Sequence, residues 1–331
     1  MLGTPTLARP PLGRIKVSVL RACAYSSLIS TVLGIPPTFV FHMPVSASLS
    51  LALHTTSIST DARCLSVPNT LPPLGRYLWT ALVCSFNLTR LPVSCDFPAI
   101  DELNNTGQFS QMELGTDEDE HSIEMHLPYI RKVFEGYVFQ HCPHLPMSHG
   151  FLFRKDISIV PILVGAIDKE KEVTFGRILA PYLASEDTFF VISSDFCHWG
   201  TRFSYTFYFS QTSSGLTTPI RLSRSTTAPH DLSTFPIHES ISALDHEAME
   251  LLTLPPSTAH QAHVFFADYL ARTKNTICGR HPIGVLLGAL AVLQEERAKS
   301  PHLQWVKYEQ SSRCFTIKDS SVSYASAYVT F

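Results

Sequence analysis

An α/β fold is what this sequence predicts over residues 101–331: a single domain whose mainly parallel or mixed central sheet is flanked by helices. Three observations carry that reading. Ile157–Val164 and Thr188–Ser193 are short, rich in β-branched and aromatic residues and almost continuously apolar, as strands covered on both faces should be. Val173–Leu183, between them, has the pattern of a helix, and strand, helix, strand in succession favours parallel pairing. Most connections over this part are short, as a compact α/β domain requires.

Residues 1–100 do not share this rhythm. Met1 to Thr60 contains no Asp or Glu, while Arg9, Arg14, Lys16 and Arg21 precede the apolar, Ser-bearing stretch Ala22–Ile35. That is the composition of an organelle transit peptide, or of a stretch that never evolved as folded protein. From there the elements follow in order. Asp117–Glu120 precedes Ile123, Leu127, Ile130 and Phe134 at helical spacing, and acids suit a helix start. The two strands and their helix come next. Glu239–Leu252 and Ala259–Ala271 read as helices, and Pro282 opens another through Leu293. Ser321–Phe331 closes the chain as a strand. Residues 61–96, 137–154 and 206–236 show neither period. They read as surface insertions, or as translated intron or frame-shifted sequence outside the mature product.

Composition narrows the function. A net charge of -3 and a pI near 6.6 provide no basic field for a phosphate backbone, which argues against nucleic acid as partner. Eight scattered cysteines without a C-x-x-C pair indicate a reducing, intracellular setting. No apolar run is long enough to span a bilayer. The dinucleotide fingerprint, the P-loop, the G-x-S-x-G elbow and the H-E-x-x-H zinc helix are all absent.

Three polar clusters remain, each at the edge of a predicted element. His121 and Glu124 lie three apart and would share a helix face, either as a site or as solvated decoration. Ser193-Ser194-Asp195-Phe196-Cys197-His198 follows the carboxyl end of a strand, where α/β sheets gather their ligands. There Asp195 can orient His198 as a general acid/base, or the pair can simply tie down a turn. Cys278-Gly279-Arg280-His281 precedes Pro282 at a helix N-terminus beside a cation, surroundings in which cysteine serves as metal ligand or redox centre. Arg280 and His281 would supply donors to an anion, and Gly279 would allow close backbone approach. A fourth patch, His141, Cys142, His144 and His149, only loosely imitates a metal site.

Five strings resemble blocks of the Memo family, mediators of ErbB2-driven cell motility, and occur in that family's order. They are TDEDEHSIEMHLPYI (Thr116–Ile130), VPILVGA (Val160–Ala166), VISSDFCHWGTRFSY (Val191–Tyr205), NTICGRHPIGVLL (Asn275–Leu287) and DSSVSYASAY (Asp319–Tyr328). The resemblance implies a fold similar to the class III extradiol dioxygenases, with a pocket at the strand ends holding a metal on two histidines and a cysteine. Cys278 matches that cysteine, and His198 matches the dioxygenases' acid/base histidine, with Asp195 beside it. A thiolate in place of a carboxylate moves preference toward copper and away from plain iron chemistry.

The resemblance also implies phosphotyrosine-bearing receptor peptides as partners, with Arg280 and His281 as donors. It implies roles in signalling, cell motility and redox control, and a cytoplasmic or nuclear location, with mitochondrial targeting as the alternative. The family's opening elements, which hold both metal histidines, are not found. His42 and His54 fall near the expected place without a matching context. The expectation is therefore an incomplete copper or iron site. An active metal-dependent oxygenase and a non-functional product of a faulty gene model are the alternatives.

Overall fold

The computed structural model describes residues 15–20, 65–67 and 94–331, the last range without 113–114, 116, 118–120, 127–129, 131–136, 140–151, 155–157, 186–187, 210, 213–214, 217–218, 224–229 and 298–299. Two compact units result, one from residues 1–47 and 168–331 and one from 48–167. The first opens with strand β1 (Ile15–Leu20). The second contains β2 (Leu65–Val67), β3 (Ser94–Cys95), α1 (Phe97–Asn105), β4 (Ser110–Gln111), β5 (Tyr137–Phe139), β6 (Leu152–Arg154), β7 (Ser158–Ile159) and β8 (Ile162–Val164). The first then resumes with α2 (Lys169–Ala184), β9 (Phe190–Ser193), β10 (His198–Trp199) and the short strands β11 (Phe207–Tyr208), β12 (Gln211–Thr212), β13 (Gly215–Leu216) and β14 (Ile220–Arg221). Helices α3 (Ile237–Leu252), α4 (Ala259–Thr273) and α5 (Arg280–Arg297) and strands β15 (His302–Gln310) and β16 (Ser321–Thr330) complete it.

The main sheet is mixed. β16 runs antiparallel to β1, β10 and β15, and β1 runs parallel with β9. Parallel pairing was expected between the strands on either side of α2, yet β8 pairs with β2 and β9 with β1. Each finds its parallel neighbour far upstream in sequence. Ile15–Leu20, inside the stretch read as atypical, takes a place between β16 and β9, its β-branched residues at every second position suiting a strand. Within the second unit β5 and β6 pair antiparallel, so residues 137–154 carry at least this ladder. The third non-periodic stretch contributes two small hairpin ladders, β11 with β14 and β12 with β13.

The helices predicted over Val173–Leu183, Glu239–Leu252, Ala259–Ala271 and Pro282–Leu293 form with small extensions, and local chemistry sets their limits. Asp168 caps α2 by accepting the Lys171 N–H at 2.8 Å. Thr258 and Gln261 form a reciprocal capping box at the start of α4. Lys274 stops α4 in a left-handed conformation, φ 54°. The buried faces of α3, α4 and α5 form one core with the sheet, including Leu244, Phe266, Leu290, Phe196, Trp199 and Val329. Helices α2 and α5 cross backbone to backbone. A Cβ at Gly176 would stand 2.6 Å from the Ala289 nitrogen, so only glycine permits that crossing. Among the described residues no helix is long and apolar enough to cross a membrane.

Candidate metal centre

Two segments of the first unit meet to build the site. The first leaves β9 at Ser193 and runs to His198. Its middle is anchored by Phe196 and Cys197, both fully buried, through Phe196 N–H to Ser323 O and Ser323 N–H to Cys197 O, each 2.9 Å. The second runs from the left-handed end of α4 through Asn275 to Cys278, just before α5.

Reciprocal hydrogen bonds join the two segments. Thr276 Oγ1 accepts the His198 N–H at 2.7 Å and donates to the His198 carbonyl at 3.1 Å. The Cys278 N–H donates to Asp195 O at 3.2 Å, and the Asp195 N–H donates to Cys278 Sγ at 3.0 Å. The Gly279 N–H donates to Ser194 Oγ at 3.1 Å. A Cβ at Gly279 would stand 2.6 Å from that oxygen and closer still to Ser193 O, so the predicted close approach is realised at this glycine.

The outcome is a convergence of three donors. A carboxylate oxygen of Asp195, a ring nitrogen of His198 and Sγ of Cys278 lie within 4.8 Å of one another. Asp195 is buried, His198 half-buried and Cys278 exposed, so the cluster opens to solvent on the sulfur side. His198 Nε2 is shielded from solvent and lies 3.4 Å from Asp195 Oδ2, but makes no well-aligned hydrogen bond. A shielded ring nitrogen within 4.8 Å of both a carboxylate oxygen and a sulfur is what a cation would complete. Carboxylate, imidazole and thiolate are together a donor set for zinc, copper or iron, so the residues fit a metal ion. In the metal-free protein the Asp195 carboxylate, and next to it Cys278, favour the imidazolium and push His198 up to about 9 against the opposing effect of burial. Ligation at this nitrogen therefore displaces a proton.

Beneath both segments lies Asp245 of α3, fully buried. Its Oδ1 accepts the Cys197 N–H at 3.3 Å and Asn275 Nδ2 at 3.0 Å, and its Oδ2 accepts Tyr308 OH at 2.9 Å. Burial pushes its carboxyl up to about 6, although Ser323, Asn275, Tyr308 and the Cys197 N–H pull the other way. A carboxylate raised in the fold contributes stability that is complete below its ordinary value near 3.8 and is lost as pH rises through about 6. Wild type should therefore lose about 2 kcal/mol relative to Asp245→Asn between about pH 4.5 and about pH 7, read by urea unfolding of both proteins at each pH. A pH-independent difference would show that Asp245 does not titrate in this range.

The remaining sequence candidates fall elsewhere. His281 commits Nδ1 to Glu172 Oε1 at 2.7 Å, while Glu172 Oε2 meets His263 Nε2 at 2.6 Å. One buried carboxylate thus bridges α2, α4 and α5. The Arg280 guanidinium makes a long bond to Ile277 O, 3.5 Å. Glu124 begins a single 3₁₀ turn, Glu124–His126, and His121 precedes it, so the pair does not share a regular α-helical face. Both belong to the second unit. His42, His54, His141, Cys142, His144 and His149 lie outside the described residues.

Asp245, Glu172 and His263 were not singled out from the sequence, though a signal existed. Each occupies a position on the apolar stripe of its helix, as Asp245 does with Ile241, Leu244, Ala248 and Leu252.

Comparison with known proteins agrees with the resemblance seen in the blocks. The family model described as Memo-like protein matches residues 87–328. Protein MEMO1 of Xenopus laevis is 43% identical over 225 residues, covering 68% of this chain and 60% of the relative. Protein MEMO1 of Homo sapiens is 40% identical over 230 residues, covering 69% of this chain and 62% of the relative. Protein memo-1 homolog of Caenorhabditis elegans is 36% identical over 228 residues, covering 68% of this chain and 52% of the relative. The match thus spans between about half and three-fifths of the length of these relatives. With the family model covering most of the chain and the two segments of the centre inside it, this protein belongs to the Memo-like family.

Proposed function

We propose that this chain is a metal-binding member of its family in which a dioxygenase-type pocket serves binding and redox control in signalling. The observation that carries the reading is the convergence of Asp195, His198 and Cys278 within 4.8 Å. A bound copper or iron ion would supply redox chemistry or Lewis acidity. The chain's own residues do the rest. Cys278, exposed and held by the Asp195 N–H, offers the sulfur. His198 would offer a ring nitrogen, and Asp195, 3.4 Å from Nε2, a carboxylate oxygen beside it. Arg280 follows Cys278 by two residues at the start of α5, and its guanidinium would be a donor to a bound anion. This supports the family's phosphotyrosine peptides as partners in cell motility.

Metal titration of the purified full chain tests this. We expect about one copper or iron ion per chain, with affinity falling roughly a hundredfold or more in Cys278→Ala. Equal uptake by both proteins would overturn the reading. Stoichiometric iron with oxygen uptake on a catechol would instead identify a working oxygenase.

A further inference from the structure

The two segments that form the metal centre come from sequence positions some eighty residues apart, and a single buried atom touches both. Asp245 Oδ1 accepts the backbone N–H of Cys197, the residue before His198, and Nδ2 of Asn275, three residues before Cys278. Asn275 passes the constraint on, since its Oδ1 accepts the Thr276 N–H at 2.7 Å and Thr276 Oγ1 in turn holds the backbone of His198 at both N and O. The tyrosine hydroxyl of Tyr269 accepts the second Asn275 contact at 2.8 Å, which fixes the amide's orientation. The contacts to Cys197 and Asn275 both fall on Oδ1, while Oδ2 accepts Tyr308 OH of β15.

Resting on the metal-binding reading above, we propose that Asp245 is the positioning residue of the centre, with Oδ1 setting the register between the His198 and Cys278 segments. A group that holds ligand-bearing segments in place is expected to change metal affinity without touching the metal. Because both site contacts are made to one oxygen, the Asn side chain can reproduce them. Asn keeps Oδ1 and exchanges only the oxygen that faces Tyr308. A merely structural carboxylate would show no such distinction.

The test uses the full-length chain titrated with cobalt(II), whose sulfur-to-cobalt charge-transfer absorption reports Cys278. Wild type should bind with that band, and Cys278→Ala should lose it. Asp245→Ala should weaken cobalt binding about tenfold to a hundredfold and diminish the band, whereas Asp245→Asn should stay within about twofold of wild type. Leu252→Ala, buried on the same helix, controls for general destabilisation and should leave affinity unchanged. If Asp245→Ala does not fold, Asn275→Ala carries the same expectation.

Wild-type affinity in Asp245→Ala, or in Asn275→Ala where that variant stands in for it, would overturn the proposal. So would equal losses in Asp245→Asn and Asp245→Ala, or an equal loss in Leu252→Ala. If wild type bound no cobalt through Cys278, the metal-binding reading itself would fall and this inference with it. Binding through Cys278 that is indifferent to Asp245 and Asn275 would sink only the inference.

Discussion

Gly279→Ala should lower metal affinity roughly a hundredfold while leaving a folded but weakened protein. The added methyl group has nowhere to go, since it would stand 2.6 Å from Ser194 Oγ and nearer to the Ser193 carbonyl, which is backbone and cannot swing aside. The segment carrying Cys278 must therefore lift from the segment carrying Asp195. The Cys278 N–H to Asp195 O contact and the Asp195 N–H to Sγ contact go with it. Overpacking of this kind costs about 1–3 kcal/mol of stability. The loss of ligand placement should reduce metal affinity roughly a hundredfold, at the top of what misplaced supporting groups produce. Urea unfolding and metal titration on the same preparation separate the two effects. The double variant Gly279→Ala/Ser194→Gly should recover little, because the clash with Ser193 O persists. Wild-type metal affinity in Gly279→Ala would show that the two segments need not touch for the centre to form.

The larger stability effect is expected at Glu172. Its carboxylate is buried between His263 on α4 and His281 on α5, at 2.6 and 2.7 Å. Two imidazoles on opposite oxygens hold three helices at one point. Despite burial, which raises its pKa, the hydrogen bonds and charges of both histidines leave Glu172 below the usual carboxylate range. Glu172→Ala strips the acceptor from both rings at once and opens a cavity, a combination that costs about 3–5 kcal/mol. Glu172→Gln keeps one acceptor oxygen and should cost less. A carboxylate lowered in the fold contributes stability that is present above its ordinary value of 4.5 and is lost as pH falls through its folded value. The difference between wild type and Glu172→Gln should therefore shrink on acidification below that value. Thermal and urea melts of the three proteins check both statements. An alanine variant as stable as wild type would show that the carboxylate is dispensable to the helix packing.

The helices were legible because their signals are local. The sequence period marked Glu239–Leu252 and Ala259–Ala271, and the observed α3 and α4 differ from those spans by two residues at one end. The convergence of Cys278 with His198 and Asp195 was also within reach, since one cluster follows a strand and the other precedes a helix, where α/β folds gather functional groups. The sheet was harder. Antiparallel pairing of β16 with β1 joins residues some three hundred positions apart, and no local period encodes which strands will meet. The supporting carboxylates were missed for a different reason. Asp245 and Glu172 sit where an apolar residue is expected, and a polar residue on a buried stripe is informative only when its partners on other helices are known. His281 shows the same limit, because its position at the start of α5 suggested anion binding while Glu172, 109 residues upstream, claims one of its ring nitrogens.

The placement of β16 has a consequence for how the molecule is made. This strand is translated after every other member of the main sheet, yet it pairs with β1, β10 and β15 alike. While the ribosome is still elongating, β1 and β15 have no shared neighbour, and their unpaired edges are open to other chains. The sheet can close only once those ten residues emerge. Nascent chains stalled before Ser321 should accordingly associate with holdase chaperones far more than chains released at full length.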